Sequence, residues 1–417
     1  RLLYSKGILK EFLTTPQKTY TTMKRLLLLT IMAALCLCPM DAQKQKRSGK
    51  RPAKESTEAK AERLFNEAED FYFGTDKVFM NREKAAELYR QSAELGYPPA
   101  MYWLGYGYLK GVVMAKDGEK CAFWFRKAAE ANNADAQYGL ATCYADGFGV
   151  PVDSVQSVYW LEKSAENGNA AAQCGIGMMY NPSLNCISAS LKRAGYQYDI
   201  DKAIYWLKKA AEQEYSSAFW ELANIYHEFK QNEDCVHWSF KAADEKIPEA
   251  LYVCGLSCYD GEDGFPKDRD RSFKYLSYLA NNPDILKEEW RAATYFNLAS
   301  CYFSGSGTEL NDKLAFKYYS LVPKDSYKDY SNCPVILGNF YEGLFDGAPY
   351  KDDVKAMEYY KMVMEYNAGA CYCYAVQLWK GTAGKYKCKE GLKMLREMAR
   401  AGMEPAIEYL NSIGQKY

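Results

Sequence analysis

Small and hydrophobic residues recur in a fixed order along most of the chain. In the copy that begins at Ala100, a leucine follows four positions later, a glycine five positions later and a tyrosine eight positions later. Offsets of zero, four, five and eight lie on one face of an α-helix. The pattern therefore predicts helices that bury this face and approach a neighbouring helix closely at their small residues.

The copies that begin at Ala100, Ala136 and Ala172 follow one another at intervals of 36 residues. The first two are each followed by a second helical stretch, whose aromatic anchor, Trp124 or Trp160, lies 24 residues after the first position. Shared internal spacing indicates repeated units rather than chance likeness. Further copies begin at Ala218, Ala250, Thr294, Cys333, Ala370 and Ala406.

Turn and capping residues separate the two helices of each unit. Gly147 and Gly149 in "DGFGVPVD" permit the positive φ at which a first helix can end, and Asp153 is placed to cap the second helix. A single helix hairpin cannot bury its own apolar face, so its neighbours must cover it. The spacing thus predicts hairpins that stack in chain order.

The combined pattern, A-x3-LG-x2-Y-x2-G-x-GV-x2-D-x3-A-x2-W, resembles the Sel-1-like repeat, a relative of the tetratricopeptide repeat. The resemblance runs from Lys84 to the C-terminus and is especially close in the copy over 134–169. It implies an all-α fold, a right-handed α-solenoid of about eight to nine Sel-1-like repeats over 61–417, with the first helices lining a concave face.

The repeat pattern has three irregular regions. An inserted loop is predicted at 181–198, and the spacing shifts after Asp260. At the ends of the stack, residues Thr57 to Gly74 predict an opening helix with no partner, and "EPAIEYLNSI" predicts a lone first helix that caps the other end.

The front of the chain is interpreted as a targeting region. Residues 23–42, "MKRLLLLTIMAALCLCPMDA", combine a basic start, a short apolar run and a small residue before a cleavage point, which is typical of a signal peptide. Residues 1–22 are then a non-native upstream extension, and 43–60 a disordered basic leader. We expect an exported bacterial protein without a membrane span in the mature chain, with the periplasm as first choice and the outer surface or secretion as second.

The composition gives little evidence for a nucleic-acid-binding, metal-binding or catalytic site. The formal net charge is zero, which gives no bias toward nucleic acid. The two histidines, His227 and His237, are ten residues apart, so they lack the helical spacing of a metal pair. Carboxylates alternate with lysines in the manner of solvated helix faces. We predict no catalytic residues, no metal and no cofactor.

Twelve cysteines remain after the signal peptide, and they support two interpretations. An exported chain can use cysteines in disulfides, and some secreted Sel-1-like repeat proteins bridge their helices in this way. The irregular spacing favours the other interpretation, in which most are small apolar residues on buried faces. Cys186, in the inserted loop, is the expected exposed thiol.

By resemblance to tetratricopeptide arrays, concave positions fall at offsets −1, 2, 6 and 9 of the first helices. Aromatic rings and amides at such positions suit an extended peptide. The alternative is that offset 2 packs on the neighbouring repeat as ordinary core. The candidate partner-binding residues are Tyr102, Tyr106, Tyr138, Thr142, Trp220, Asn224, His227, Tyr252 and Phe296.

These observations favour a non-catalytic scaffold or adaptor of the cell envelope that binds a protein or peptide on its concave face. Two alternatives stay open. One is an envelope enzyme of the hydrolase type, with a site in the groove or the inserted loop. The other is binding of cell-wall carbohydrate through aromatic side chains.

Overall fold

The computed structural model describes residues 55–75, 78–111, 114–346, 348–349 and 351–417. The predicted upstream extension, the signal peptide and all but the end of the basic leader lie outside the described residues. The described residues contain helices and turns but no strand. They divide into two units; unit 1 ends at Ala218, and unit 2 begins at Phe219.

Unit 1 is a series of helices joined by short turns. In chain order they are α1 (Thr57–Phe73), α2 (Arg82–Glu94), α3 (Pro98–Lys110), α4 (Gly118–Glu130), α5 (Ala134–Asp146), α6 (Ser154–Glu166), α7 (Ala170–Tyr180), α8 (Ala189–Arg193) and α9 (Ile200–Glu212). The boundary between the units falls inside the next helix, α10 (Ser216–Glu228).

Unit 2 continues the same alternation. Its helices are α11 (Asn232–Asp244), α12 (Pro248–Asp260), α13 (Arg269–Asn281), α14 (Arg291–Ser304), α15 (Asp312–Ser320), α16 (Asn332–Glu342), α17 (Asp353–Val363), α18 (Ala368–Trp379), α19 (Cys388–Arg400) and α20 (Glu404–Ser412). In the part of the chain that the structure describes, none of these helices is both long and apolar enough to cross a bilayer.

Within each unit, a first helix packs against the second helix that follows it, and that second helix packs against the next first helix. The predicted all-α solenoid of stacked hairpins is therefore confirmed. The predicted caps are confirmed as well. Gly147 ends α5 in the left-handed conformation, and the Asp153 carboxylate accepts hydrogen bonds from the Val155 and Gln156 amides at the start of α6.

The core of the hairpin formed by α3 and α4 differs by one position from the prediction. The predicted anchors Trp124 and Trp160 are only half-buried. The residue after Trp124, Phe125, is 1% exposed, and Leu207, which holds the same place in its repeat, is fully buried. Consecutive side chains on an α-helix point in directions about 100° apart. The tryptophans therefore lie at the edge of the buried face rather than at its centre.

Phe125 occupies a gap between two successive first helices. A Cβ atom on Gly105 of α3 would lie 2.5 Å from Phe125 Cδ1, and a Cβ atom on Gly139 of α5 would lie 2.8 Å from Phe125 Cε2. Both glycines therefore lack a side chain where the ring enters. Small residues in the repeating pattern thus create the space for a large residue of the helix between them.

Two of the irregular regions resolve into regular structure. The opening helix α1 is paired rather than unpaired, because α2 packs on it and the Ser92 hydroxyl donates to the Ala61 carbonyl at 2.6 Å. Its start at Thr57 also makes the end of the predicted basic leader helical. Beyond Asp260, hairpins continue through α19, and α20 is the predicted final first helix.

The inserted segment is folded onto unit 1. It contains a short 3₁₀ turn at Pro182–Leu184 and the helix α8. Tyr196 donates to Glu162 Oε2 at 3.0 Å, and Tyr180 donates to the other oxygen of this carboxylate at 3.1 Å. Because Glu162 lies on α6 and Tyr196 lies in the insertion, the bond from Tyr196 fixes the insertion to the preceding hairpin.

Candidate partner-binding surface

Three of the predicted residues form a group on two successive first helices of unit 1. Tyr102 and Tyr106 lie on α3 and Tyr138 lies on α5, and all three are half-buried. The ring centroids of Tyr102 and Tyr106 are 6.2 Å apart, and Tyr102 stacks on Phe125 at 5.9 Å. Tyr138 is an electrostatic neighbour of Tyr102. We call these three residues the tyrosine row.

The hydroxyl groups of the tyrosine row have no hydrogen-bond partner among the described residues. They are also absent from the fully buried polar atoms that lack a partner, so none of the three oxygens is completely shielded from solvent. Other tyrosines of the chain behave differently. Tyr360, for example, donates to Glu342 Oε2 at 2.7 Å and is buried. The row therefore combines packed rings with unpaired polar tips.

The electrostatics of the row favour neutral hydroxyl donors. Burial raises the pKa of Tyr138 to about 12. Burial likewise raises the pKa of Tyr102, and the neighbouring Asp135 carboxylate adds to the increase. Both phenols therefore remain protonated at physiological pH, and each can donate one hydrogen bond to a carbonyl or carboxylate oxygen.

Thr142 does not share this arrangement. It is 6% exposed, and its hydroxyl donates to the Gly139 carbonyl within α5 at 2.7 Å. The assignment of Thr142 to a binding surface stays a prediction, but its hydroxyl already bonds inside its own helix. A threonine can satisfy its hydroxyl in this way wherever a helix carbonyl lies one turn back.

In unit 2, the predicted residues Tyr252 and Phe296 belong to an aromatic group with two residues that the sequence interpretation missed. Tyr252 stacks on Trp290 with centroids 4.8 Å apart and an interplanar angle of 12°. Phe296 contacts Tyr330 at 5.1 Å. Tyr330 is also an electrostatic neighbour of Tyr252. We call these four residues the unit 2 cluster.

Charged side chains lie beside the unit 2 cluster. Lys287 Nζ is 2.8 Å from Glu249 Oε1 and 4.4 Å from the centroid of the Trp290 ring. Glu221 is half-buried on α10 without a hydrogen-bond partner. Burial, together with repulsion from Glu249, raises the pKa of Glu221 to about 7. Among the described residues, Glu221 is thus a carboxyl group without an ion-pair partner.

The remaining predicted residues lie on α10. Trp220 and Asn224 are half-buried and His227 is exposed. Their assignment to a partner-binding surface stays a prediction. Trp290 and Tyr330 could have been found from a weaker signal, because aromatic residues recur three or four positions before the first small residue of a repeat. Tyr97 and Tyr215 hold the same place in unit 1.

A polar cavity lies beside the inserted segment. Its volume is about 470 Å³, and its lining includes Tyr180, Tyr196, Asp199 and Lys202. Most of these side chains bond to one another or to Glu162 of α6. Lys202 Nζ is 3.7 Å from Asp199 Oδ2, and both tyrosines donate to Glu162. We therefore interpret these contacts as fixing the insertion to the stack.

The described residues contain no group of three or more His, Cys, Asp or Glu side chains that could hold a metal ion.

Twelve cysteines lie in the described part of the chain, none of them in a disulfide, and eight are buried. Cys186 is exposed, as predicted, and its thiol is 3.5 Å from the Leu184 carbonyl. The interpretation of most cysteines as buried apolar residues is confirmed.

Seven stretches of the chain, which together cover more than half of it, match the family model of the Sel1 repeat. They are residues 71–97, 98–133, 134–169, 170–215, 248–284, 292–321 and 337–362. The matches on both sides of Asp260 agree with the hairpins that the structure places there.

The solved structures that are similar to this chain include the following two. One is a protective antigen of uropathogenic Escherichia coli strains with an SLR fold. It is 20% identical, the match covers 86% of this chain and 72% of that chain, and the TM-score is 0.48. The other is a Sel1 repeat protein from Oxalobacter formigenes, 24% identical over 52% of this chain and 86% of that chain, with a TM-score of 0.46.

Proposed function

We propose that this chain, which belongs to the Sel1 repeat family, is a non-catalytic scaffold of the cell envelope that binds an extended segment of a protein partner. Repeats of this family form protein-interaction scaffolds in general. This proposal adds three statements to that general role. The protein works in the cell envelope, the bound segment is extended, and a defined surface binds it.

The observation that carries the proposal is the tyrosine row with its unpaired hydroxyls. Tyrosine rings supply large contact areas at a low cost in side-chain entropy, and their hydroxyls bond the backbone of a bound segment. A partner that covers Tyr102 and Tyr138 would bury their exposed ring edges and satisfy their hydroxyls in one step. Structural tyrosines such as Tyr360 have no capacity left for this role.

The row runs from one first helix to the next, α3 to α5. An extended chain advances about 3.3 Å per residue, so a segment of a few residues is enough to contact both helices. The bound segment would donate or accept backbone hydrogen bonds at the tyrosine tips.

The test begins with selection of peptides from a displayed random library on the purified chain. Affinities of the selected peptides are then measured by fluorescence anisotropy. We expect Tyr138→Ala to weaken binding by about tenfold or more, which corresponds to about 1.4 kcal/mol. Tyr138→Phe, which keeps the ring, should lose less.

The matched control is Tyr159→Ala. Tyr159 lies on the second helix α6, is 45% exposed and is remote from the row in the pattern of the repeat. Far-UV circular dichroism of both variants verifies that helix content is unchanged. Equal affinities of Tyr138→Ala and Tyr159→Ala, or the failure of the library to yield any binder, would remove the tyrosine row as the binding surface.

The envelope assignment has a separate test. It is supported by the apolar run after "MKR" in residues 23–42. Expression of the full chain with a C-terminal tag in a Gram-negative bacterium should give a processed protein in the periplasmic fraction after osmotic shock. An unprocessed protein that remains with a cytoplasmic marker would contradict export without affecting the scaffold proposal.

A further inference from the structure

Two buried cysteines lie in contact between successive hairpins of unit 1. Cys121 is in the first turn and a half of the second helix α4, and Cys143 is near the end of the first helix α5. Their Sγ atoms are 3.9 Å apart, and the two residues are 0% and 2% exposed. This is van der Waals contact between two thiols on different helices.

Other buried thiols have different surroundings. Cys235 Sγ is 4.0 Å from the hydroxyl of Ser239 on its own helix, and the Cys333 thiol donates to the Tyr319 carbonyl at 3.5 Å. In both of these contacts the thiol meets an oxygen rather than a second sulfur. The contact between Cys121 and Cys143 therefore brings two sulfurs close enough to form a disulfide, which burial of a single thiol does not do.

We propose that Cys121 and Cys143 form a disulfide when the chain folds in the presence of a small-molecule disulfide, which locks the hairpin of α3 and α4 to that of α5 and α6. A sulfur–sulfur bond is about 2.05 Å long, so the two atoms must approach by about 1.9 Å. A helix shift or rotamer change of this size is small, because the sulfurs already touch.

The chemistry is thiol–disulfide exchange with oxidised glutathione as the oxidant. One protein thiolate attacks a glutathione sulfur to form a mixed disulfide and releases one glutathione thiolate. The second protein thiolate then attacks the sulfur of the first cysteine and releases the other glutathione. The protein sulfurs lose two electrons, which reduce the glutathione disulfide, and the two thiol protons end on the two molecules of glutathione.

The folded state restricts when this reaction occurs. The contact with Cys143 and burial both raise the pKa of the Cys121 thiol, so the thiol stays protonated. A protonated thiol is a poor nucleophile, because the thiolate is the form that attacks. Both thiols are also shielded from solvent in the stack. The bridge therefore forms during folding or local opening and is slow to form in the closed protein.

The bridge would act on the tyrosine row, and this consequence rests on the proposed function. Cys121 shares α4 with Phe125, on which Tyr102 stacks, while Cys143 shares α5 with Tyr138. A bond between α4 and α5 therefore holds the two parts of the row at one spacing. We expect the oxidised chain to bind a selected peptide more tightly than the reduced chain.

The experiment uses the full chain, refolded from urea with either oxidised glutathione or dithiothreitol. Accessible thiols are then blocked in denaturant and the chain is digested with trypsin. Cleavage after the neighbouring basic residues leaves Cys121 in peptide 121–126 and Cys143 in peptide 128–163. We expect these two peptides to be linked after oxidative refolding, with two fewer reactive thiols and a higher urea midpoint than in the reduced chain.

Two variants test the assignment. Cys143→Ser should abolish the linked peptide and the gain in urea midpoint, and Cys235→Ser should retain both. Linkage of Cys121 to a different cysteine, or an unchanged thiol count after oxidative refolding of the wild-type chain, would overturn the proposal. Because mass mapping needs no partner, failure of the tyrosine row to bind peptides would leave this result unaffected.

Discussion

The contact between Phe125 and two glycines predicts a large and local loss of stability for Phe125→Ala. Phe125 is 1% exposed on α4, and its ring fills the space where Gly105 and Gly139 lack side chains. Truncation removes the ring while both glycines stay, so neither glycine offers side-chain atoms that fill the gap. The substitution therefore leaves a cavity, which adds to the cost of the lost apolar burial.

The magnitude follows from the removed ring and the remaining cavity. Phenylalanine to alanine substitutions in a core cost about 3–5 kcal/mol, and the better helix propensity of alanine returns about 0.5 kcal/mol. Phe123→Ala is the matched control, since Phe123 is 49% exposed on the same helix and gains the same propensity. We expect the control to lose less than about 1 kcal/mol, so the two variants should differ by about 3 kcal/mol.

Native-state hydrogen exchange is the appropriate assay, because repeat proteins can open locally without unfolding as a whole. In the Phe125→Ala variant, the slowest amides of α3, α4 and α5 should exchange on the order of 100-fold faster than in the Phe123→Ala variant. Amides of α18 and α19 in unit 2 should be unchanged. Equal protection in the two variants would refute the assignment of Phe125 as the wedge between the first helices.

Two further predictions concern a turn and a carboxyl group. Gly149 and Gly168 both have positive φ, but a Cβ on Gly149 would lie 1.8 Å from the Gly118 carbonyl oxygen, whereas a Cβ on Gly168 would have nothing within 4 Å. Gly149→Ala should therefore lower the urea midpoint clearly more than Gly168→Ala, and equal midpoints would contradict the close approach. Burial and Glu249 raise the pKa of Glu221 to about 7, so the folded chain holds this proton more tightly than the unfolded chain, and stability falls as pH rises from the unfolded pKa through 7. Glu221→Gln should reduce the drop in melting temperature between pH 5 and pH 8 measured by calorimetry, and a drop as large as that of the wild type would contradict the assignment.

The sequence was sufficient to predict the helices and their pairing because both depend on local signals. A small residue at Ala100, a leucine at Leu104 and a glycine at Gly105 define one helix face without knowledge of the partner. Capping at Asp153 and the turn at Gly147 depend on neighbours within a few residues. These features recur at 36-residue spacing, so each copy supports the others.

Properties that depend on tertiary contact were less predictable. Whether Trp124 or Phe125 enters the core is decided by the rotation of α4 against two first helices, and the sequence pattern fits both residues equally well. The Thr142 hydroxyl donates to the Gly139 carbonyl, a bond that the offset pattern did not indicate. Trp290 lies just before the repeat pattern that begins at Thr294, and although its position recurs between repeats, its stacking on Tyr252 is a contact between helices that spacing alone does not give.

The two uses of tyrosine in this fold give the reason to assign a binding role to some of them. With 37 tyrosines in the chain, an aromatic residue on a first helix is weak evidence of function. Tyr180 and Tyr360 lie in the same kind of helix stack. Each donates a hydrogen bond to a carboxylate on a neighbouring helix, so their hydroxyls help to hold the stack together. Tyr102 and Tyr138 are half-buried, and their hydroxyls have no partner among the described residues. Water accepts from these donors in the free chain, and a bound segment that offers a carbonyl oxygen would replace that water.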